Sequence, residues 1–245
     1  MSFKKLLAAA LIAGLSQLVL MGSATADVPK GLYAGVDGGL AWTSNITYTT
    51  YYGGCFPPYY CSYPYYYNAV TFDLGYQAGA QVGYAFGGPR VELEYSYRNN
   101  GASTIATTAG TQSASGSLTS NNFMVNALYD FDTGSKWVPY VGLGLGVADV
   151  HANTIKPSVS IAGAQSGYID GSSSKFAVQF IFGGEYLASD RIGVFVDWRG
   201  LWASNVNFNY GIGCTSGTTS NCAQTGSTNW DYWSGALNIG LHVRF

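Results

Sequence analysis

The chain ends in residues whose side chains alternate strictly between apolar and polar. Residues 237–245 read Leu-Asn-Ile-Gly-Leu-His-Val-Arg-Phe. Successive side chains of a β-strand point to opposite faces, so this period of two predicts a strand with one apolar and one polar face. Such a strand suits a wall between lipid and a polar interior.

The opposite end predicts a removable signal peptide over residues 1–26. Lys4 and Lys5 precede an apolar stretch at residues 6–21, and Ala24-Thr25-Ala26 supplies the small residues of a cleavage site. A retained membrane anchor is the alternative, but the stretch is short for a span and is interrupted by polar residues. The mature domain is then 27–245. It keeps 9 of the 11 basic residues against 13 acidic ones, a net charge of −4, which indicates no nucleic-acid partner.

Composition excludes two broad classes. With 33 Gly, 20 Tyr and 12 Phe and only 10% charged residues, the chain is too aromatic to remain disordered. No segment after residue 26 approaches 18 uninterrupted apolar residues, which argues against a helical membrane protein. A closed β-barrel is the other structure that satisfies its backbone hydrogen bonds inside lipid.

Eight segments of the mature chain show this alternation, and we therefore expect an all-β fold, a transmembrane antiparallel up-and-down β-barrel of eight strands. The fourth segment is the least regular, because Met124 and Leu128 place apolar side chains in its polar row. The segments are residues 31–43, 71–86, 90–98, 122–131, 137–147, 175–186, 191–202 and 229–245.

The connections alternate between long and short. Long ones cover residues 44–70, 99–121, 148–174 and 203–228, and short ones cover 87–89, 132–136 and 187–190. In outer-membrane barrels short turns face the periplasm and long loops face outside, so we expect the long loops to be extracellular. A ten-stranded barrel, with an extra hairpin around residues 159–169, is the alternative.

The inward rows of the eight predicted strands carry many charges. An eight-stranded barrel is narrow enough to be filled by its own side chains, and isolated charges there would be costly. We therefore expect a lumen network of ion pairs that plugs the barrel; an ion pathway or gate is the alternative. Its predicted members are Asp37, Asp73, Arg90, Glu92, Glu94, Arg98, Lys175, Glu185, Asp197, Arg199 and Arg244, and Asp130 lies in the same rows.

The first long connection is rich in tyrosine and contains two cysteines. Tyrosine offers a large amphipathic contact area, so adhesion to a host or extracellular ligand is one hypothesis. A loop that packs over the barrel mouth or onto lipopolysaccharide is the other. The contact residues are Tyr51, Tyr52, Tyr59, Tyr60, Tyr65, Tyr66 and Tyr67.

Four cysteines fit two local disulfides in an exported protein. Cys55 and Cys61 lie close together in the first long connection, and Cys214 and Cys222 lie close together in the fourth. Four cysteines allow three pairings, so the connectivity stays open. A metal site is the weaker interpretation because the chain has only 2 His.

Aromatic residues near the predicted strand ends indicate two interfacial girdles, where amphipathic rings prefer the boundary between headgroups and hydrocarbon. They are Trp42, Tyr84, Phe86, Tyr97, Tyr129, Phe131, Trp137, Tyr186, Trp202, Trp230 and Trp233.

No catalytic, cofactor-binding or metal-binding site is predicted. Catalysis needs a nucleophile and a base within hydrogen-bond reach. His151 is followed by Ala-Asn and His242 by Val-Arg, so the His-x-Ser arrangement of lipid A deacylase barrels is missing. A lipid-modifying enzyme is the least favoured hypothesis.

Several short motifs resemble the eight-stranded OmpA-like and opacity-type porin-like outer-membrane proteins. The resemblance rests on Gly31-Leu32-Tyr33-Ala34-Gly35, Trp137-Val138-Pro139-Tyr140-Val141-Gly142, Gly183-Gly184-Glu185-Tyr186 and the final residues 240–245. It implies a Gram-negative outer-membrane protein that contacts outer-membrane lipid and lipopolysaccharide. The ending, with Gly240, Val243 and Phe245, resembles the signal read by the barrel assembly machinery.

This resemblance implies roles in envelope integrity, adhesion, immune recognition or slow passage of small solutes. Unlike OmpA, the sequence carries no peptidoglycan-binding domain after residue 245, so a wall-tethering role is in doubt. We expect a structural and surface-interaction protein, with a narrow low-conductance pore as the alternative. Whether barrels associate, and which ligand is bound, stays open.

Overall fold

The structure is a computed structural model that describes residues 28–51, 54–56, 60–62, 65–107, 110–158, 166–213 and 224–245. The predicted signal peptide lies outside these residues. Within them, no helix is long and apolar enough to cross a membrane. The strands are β1 (Lys30–Thr43), β2 (Ile46–Tyr51), β3 (Gly54–Phe56), β4 (Tyr60–Ser62), β5 (Tyr65–Phe72), β6 (Gly75–Phe86), β7 (Pro89–Thr107), β8 (Gly110–Asp130), β9 (Trp137–Pro157), β10 (Ser166–Leu187), β11 (Ile192–Gly213) and β12 (Gln224–Arg244).

Eight of these strands close into a ring. Strand β1 pairs with β6 on one side and with β12 on the other. Each strand from β6 to β12 pairs antiparallel with the next one along the chain. The prediction of an all-β, antiparallel, up-and-down barrel of eight strands is confirmed.

Side chains alternate across the barrel wall. On β12, Ile239 is 62% exposed on the outside, whereas its neighbour Asn238 is 1% exposed and faces the lumen. Apolar side chains outside and polar ones inside are the arrangement of a barrel in lipid. The exposed apolar belt contains Leu32, Val36, Leu40, Val82, Val91, Leu93, Val125, Leu143, Leu145, Val147, Phe180, Val196, Leu237, Ile239 and Leu241.

The two ends of the barrel differ in how the strands are joined. At one, here called the short-turn end, the connections are residues 87–88, 131–136 and 188–191. Phe245 lies at this end, where its N–H donates to the Leu32 carbonyl at 3.0 Å. The other end, the long-loop end, carries the remaining connections.

Toward the long-loop end the strands continue far beyond their predicted bounds. Strand β7 runs to Thr107 and β8 begins at Gly110, so the predicted loop 99–121 is wrong over most of its length. Much of 148–174 and 203–228 is likewise strand. The reason is that the alternation inverts above the belt. On β9, Asp149 and His151 are on the outside, and Val150 and Ala152 are buried inside.

The first long connection contains two hairpins. Strands β2 and β5 pair from Ile46–Val70 to Tyr51–Tyr65, and β5 continues the wall by pairing with β7. Inside this hairpin β3 pairs with β4. The extra hairpin therefore lies within 44–70 and adds no strand to the ring. The ten-stranded alternative is wrong where the structure describes its hairpin, since residues 166–169 belong to β10.

The predicted tyrosine and cysteine positions are only partly covered by the described backbone. The register places Cys55 opposite Cys61 in the β3–β4 pair. Tyr51 lies in β2, Tyr60 in β4, and Tyr65, Tyr66 and Tyr67 in β5. Tyr52, Tyr59, Cys214 and Cys222 lie outside the described residues. Both disulfides and the contact role of the tyrosines stay predictions.

Strand β1 is paired with a neighbouring strand on both edges, but this closed pairing does not continue beyond β1 toward the long-loop end. The β1–β12 register ends at Thr43–Ser234, and the Ser44 N–H makes a last bond to the Trp233 carbonyl at 2.8 Å. Beyond this point β2 pairs with β5 and β12 pairs with β11, and no register joins β2 to β12 among the described residues. We call this boundary between β2 and residues 224–232 of β12 the seam.

Trp230, which was predicted to belong to an interfacial girdle, faces the lumen instead of the lipid. Trp230 is 8% exposed and its ring contacts Phe208 and Tyr232 inside the barrel, at centroid distances of 6.5 and 5.5 Å. Trp233, which is exposed, lies three residues further on. Residues an odd number apart in a strand point to opposite faces, so the two tryptophans could not share one girdle.

Candidate functional site in the barrel lumen

The lumen changes character along the barrel. On β11 the inward row passes from Asp197 and Arg199 to Leu201 and Ala203, all at most 1% exposed. On β7, β10 and β12 the charged inward side chains also lie nearer the short-turn end, at Arg90, Glu185 and Arg244, and the buried apolar ones lie nearer the long-loop end. The lumen therefore has two parts, here called the polar plug and the apolar layer.

The apolar layer is a single buried cluster at the long-loop end. Its members come from β2, β5, β7 and β8 on one side and from β9 to β12 on the other. They are Ile46, Val70, Ala102, Ile105, Leu118, Met124, Ala148, Val150, Ala152, Ile155, Ile169, Ala177, Leu201, Ala203, Val206, Phe208, Trp230 and Tyr232.

Glu185 organises the part of the polar plug nearest the short-turn end. Its carboxylate pairs with Arg244, lies 3.7 Å from Arg90 Nη1, and lies 3.3 Å from His242 Nδ1. Arg90 Nη2 is also 3.5 Å from Asp130. Three side chains from β7 and β12 thus contact one acid of β10, and Asp130 of β8 contacts one of the three.

Two aromatic rings hold Arg90 between them. Its guanidinium carbon lies 4.7 Å from the centroid of the Tyr140 ring and 5.4 Å from that of Tyr33. Cations are attracted to the faces of aromatic rings. The rings therefore help to compensate the burial of this charge.

Arg199 organises the centre of the polar plug. Its Nη1 lies 2.5 Å from Glu94 and 3.6 Å from Glu92, and its Nη2 lies 2.9 Å from Asp197. Glu92 and Glu94 belong to β7, which stands opposite β11 in the ring, with three strands between them on either side. These ion pairs therefore span the whole width of the lumen.

Side-chain amides donate further hydrogen bonds to the central acids. Asn126 donates to Glu92 at 3.1 Å and to Glu94 at 2.7 Å, and Gln179 donates to Glu94 at 2.7 Å. Asn238 donates to Asp197 at 2.9 Å. Buried ion pairs are tolerated when such bonds satisfy the remaining lone pairs.

Two phenols connect the group around Glu185 with the group around Arg199 in the polar plug. Tyr33 Oη donates to Glu92 at 2.8 Å and Tyr140 Oη donates to Asp197 at 3.1 Å. The same two rings hold Arg90. The charges therefore form one connected block across the lumen.

Most of the predicted lumen residues are buried in this lumen, and two are not. The buried ones are Asp37, Arg90, Glu92, Glu94, Arg98, Glu185, Asp197, Arg199 and Arg244. Asp73 is exposed, because the strand breaks at residues 73–74 between β5 and β6. Lys175 is half-exposed toward the long-loop end of β10 and makes no ion pair with a described residue.

The amides of the plug are a part of the site that sequence reasoning left out. Asn126, Gln179 and Asn238 carry no charge, so a search for ion pairs passes over them. Their inward position in the alternating rows is the signal that could have identified them.

The carboxyl-terminal residues lie on both faces of β12. Val243 and Phe245 are exposed on the outside, at 45% and 79%. Gly240 faces inward, where a side chain would overlap the Phe195 ring. Their reading by an assembly machinery stays a prediction.

A second polar cluster lies on the outer surface, beyond the apolar belt. Asp149 accepts a hydrogen bond from Ser174 Oγ at 2.7 Å and lies 2.7 Å from His151 Nε2. The Ser174 bond, followed by His151, lowers the pKa of Asp149 below its ordinary value. The acid stands between the serine and the histidine, so these contacts do not form a nucleophile–base pair.

No metal site accompanies these groups in the described part of the chain, where no cluster of three or more His, Cys, Asp or Glu side chains is placed to hold an ion.

Solved structures share this fold. Neisserial surface protein A is 18% identical, with a TM-score of 0.51, and the match covers 88% of this chain and 97% of that one. OprG from Pseudomonas aeruginosa is 15% identical, with a TM-score of 0.56 and coverages of 89% and 98%. A major outer membrane protein from Thermus thermophilus is 11% identical, with a TM-score of 0.50 and coverages of 87% and 99%. At these identities the likeness concerns the fold alone.

Comparison with curated protein sequences gave no match. A family model described as the outer membrane protein beta-barrel domain matches residues 6–245. This match covers the whole described barrel and agrees with the apolar belt and the eight-stranded ring. The chain therefore belongs to the family of outer membrane protein β-barrel domains.

Proposed function

We propose that this outer-membrane barrel is a structural and surface-interaction protein whose lumen is closed to solutes. The observation that carries the proposal is the ion pair between Arg199 and the glutamates of the opposite strand, which crosses the lumen. The apolar layer lies beyond it toward the long-loop end. A solute would have to displace both a network of buried charges and a packed apolar cluster.

In the proposed orientation, the short-turn end faces the periplasm and the long-loop end faces the outside of the cell. An even strand number puts both chain ends on one side, and Phe245 bonds to Leu32 at the short-turn end. An exported precursor with a signal peptide at residues 1–26 would deliver the chain to this membrane, and the terminal strand would be read by the assembly machinery.

Under this proposal the long-loop end carries the interactions. There the outer surface becomes polar, as the outward side chains of Asn121, Asp149 and His151 show. The backbone of the β2–β5 hairpin brings Tyr51 opposite Tyr65. The partner proposed is a host or extracellular ligand, with lipopolysaccharide as the neighbour of the same surface.

Replacing residues 51–67 by a short turn tests the surface role. The excised segment is confined to the hairpin beyond the β1–β12 register, so the variant should assemble normally. We expect binding of whole cells to host or matrix surfaces to fall, at equal surface amount. A variant with 132–136 replaced by another short turn is the control. Unchanged binding by the hairpin variant would remove the adhesion proposal.

Loop orientation needs its own measurement. We expect an epitope inserted at residues 108–109 to be labelled on intact cells, and one inserted at residue 134 to be labelled only after permeabilisation. The opposite labelling pattern would overturn the proposed orientation.

A further inference from the structure

The polar plug contains more acids than cations. Among the described residues, six buried carboxyl groups share the lumen with four buried arginines and one histidine. With every acid and arginine ionised and His242 neutral, four positive charges against six negative ones leave an excess of two negative charges. A protonated His242 would remove only one of them. The acids are Asp37, Glu92, Glu94, Asp130, Glu185 and Asp197, and the arginines are Arg90, Arg98, Arg199 and Arg244.

No further lysine or arginine of residues 27–245 compensates this excess. All of them belong to the described residues, and those outside the plug make no ion pair with a described acid. Lys30, Lys136, Lys156 and Arg191 are exposed, and Lys175 is half-exposed toward the long-loop end of β10. Buried charge without a counter-charge is costly, and an acid avoids this cost by binding a proton. The composition of the lumen therefore favours at least one protonated acid.

The excess charge lies in the centre of the plug. Around Glu185 the charges balance, because Arg90 and Arg244 compensate Glu185 itself and Asp130. In the centre, four acids share two arginines. These groups are Asp37, Glu92, Glu94 and Asp197 with Arg98 and Arg199.

Asp37 differs from the other five acids in having no arginine within ion-pair distance. Each of the others lies at most 3.6 Å from an arginine nitrogen. Asp37 is 9% exposed on the inward row of β1, and Gln77 Nε2 donates to its Oδ2. Glu94 receives hydrogen bonds from both Asn126 and Gln179 in addition to its ion pair. Ion pairs and such bonds stabilise the ionised form, so Asp37 is the acid least supported as an anion.

The charges that act on Asp37 come from the second strand on either side of β1. The adjacent strands β6 and β12 place only Gly79 and Gly240 opposite it. The next titratable side chain along β12 is His242, which lies opposite Gly35. The charged groups include Arg199 and Asp197 of β11 and Glu94 and Arg98 of β7. Because Arg199 is already shared by three acids, it does not neutralise a fourth.

A proton on Asp37 would also complete its hydrogen bonding with Gln77. Asp37 Oδ1 and Gln77 Oε1 are both buried acceptors without a partner among the described residues. The two side chains are already joined by the bond from Gln77 Nε2 to Asp37 Oδ2. A protonated carboxyl group gains one O–H donor. With the proton on Oδ1, the acid can donate to Gln77 Oε1, and acid and amide then exchange two hydrogen bonds.

We propose that the folded barrel binds a proton at Asp37 at neutral pH, and that this proton links the stability of the plug to pH. The proton halves the excess negative charge and needs no cavity. In the unfolded chain an aspartate is ionised at neutral pH, so folding takes up the proton and a rising pH favours unfolding. The inference rests on the closed lumen of the proposed function, because dissolved cations would balance the charge of a water-filled lumen.

Carboxyl ¹³C NMR of the full mature protein in lipid nanodiscs, labelled at its aspartate side chains, tests the proposal. At neutral pH we expect an aspartate resonance at the position of a protonated carboxyl group, and we expect this resonance to be missing in Asp37→Asn. The exposed Asp73 is the internal reference for an ionised carboxylate. If wild type shows no protonated resonance, or if Asp37→Asn keeps every such resonance, the proposal is overturned. The wild-type spectrum decides even where the variant does not fold.

Urea titration in lipid vesicles between about pH 6 and about pH 9 gives a second test. For wild type we expect the equilibrium constant of unfolding to rise by up to about tenfold per pH unit while Asp37 keeps its proton. In Asp37→Asn we expect a weaker rise, because asparagine is neutral at every pH and still accepts the bond from Gln77. Equal pH dependence of the two proteins would contradict the proposal.

Asp197→Asn is the matched control at a second buried aspartate. Asp197 is ion-paired with Arg199, so its replacement should lower the urea midpoint at neutral pH, whereas Asp37→Asn should leave the midpoint near that of wild type. Equal losses in the two variants would show that Asp37 is ionised in the folded barrel and would overturn the proposal.

Two further outcomes separate the proton from a bound cation and from an open lumen. Wild-type stability that rises with sodium or potassium concentration, and rises less in Asp37→Asn, would identify a bound cation and overturn the proton. A baseline current in planar bilayers together with an ionised Asp37 resonance would overturn the proton and leave the closed lumen intact. Single-channel steps would overturn the closed lumen itself.

Discussion

Arg199 on β11 and Glu94 on β7 meet across the full width of the barrel, with 2.5 Å between the guanidinium and the carboxylate. The two strands stand opposite each other in the ring of eight. Both side chains are at most 4% exposed. A contact of this kind ties the two halves of the wall together and occupies the centre of the lumen.

Removing Arg199 should therefore destabilise the barrel strongly. In Arg199→Met, Glu92, Glu94 and Asp197 lose their shared cation, and breaking such a buried pair costs about 3–5 kcal/mol. Urea titration of the protein in lipid vesicles measures the free energy of unfolding. Arg191→Met, which removes an exposed arginine, is the control. Equal stabilities of the two variants would mean that the plug adds nothing to the fold.

Two adjacent glycines should respond differently to alanine. At Gly39, a Cβ facing the lumen would overlap the Leu237 carbonyl and come within 2.6 Å of Asn238 Oδ1. At Gly38, a Cβ on the outside meets nothing closer than the Gln77 carbonyl at 3.7 Å. We expect Gly39→Ala to lower the free energy of unfolding by about 1–3 kcal/mol through overpacking, and Gly38→Ala to leave it nearly unchanged.

The same urea titration compares these two variants. Equal effects of the two alanines would contradict the assignment of Gly39 to the inside and Gly38 to the outside.

The strand rows within the apolar belt could be predicted from sequence, because lipid and lumen impose opposite polarity on adjacent residues. Beyond the belt both environments change: Asp149 meets water outside, and Val150 packs inside. Polar side chains then point outward and apolar ones inward, as in a water-soluble barrel. These segments are also rich in Ser, Thr and Asn, which are typical of loops. For this reason the sequence predicts β7 and β8 too short.

Part of the lumen site could also be predicted. Inward parity identifies Arg199 and Glu94, but parity alone does not say which strands stand opposite each other, so the pair itself requires the closed ring. Asp73 stands at an inward position of the alternating sequence pattern, yet it lies at the break between β5 and β6. The position of this break depends on the pairing of β5 with β7. The Arg98 guanidinium is held by hydrogen bonds to Ser234, which is 136 residues away along the sequence.

A charge on the lipid-facing side should reveal the position of the membrane. Leu143 is exposed in the middle of the outward row of β9, and Leu143→Arg should lower the free energy of unfolding in lipid vesicles by about 2–4 kcal/mol. Thr119→Arg, on the outward row of β8 beyond the belt, should cost at most about 1 kcal/mol. A larger loss at Thr119 than at Leu143 would contradict the placement of the belt.

The Asp149 cluster gives a local pH dependence. The pKa of Asp149 is lowered chiefly by the Ser174 hydroxyl, so its contribution to stability is present above the ordinary carboxyl pKa and is lost as the pH falls through the lowered value. NMR titration of the carboxyl carbon measures this pKa. We expect Ser174→Ala to raise the pKa of Asp149 toward its ordinary value.

Ser172→Ala is the matched control for this titration. Ser172 lies two residues away on the same outward row of β10, opposite His151, and should leave the pKa of Asp149 in place. Equal shifts in the two variants would contradict a specific bond from Ser174.

Electrical recording in planar bilayers tests the closed lumen most directly. Purified barrels inserted into a solvent-free bilayer should leave the current at its baseline, because the Arg199 ion pairs cross the lumen and the apolar layer lies beyond them. Reproducible single-channel steps that disappear in Glu94→Gln or Arg98→Gln would contradict this and identify the lumen as a narrow pore.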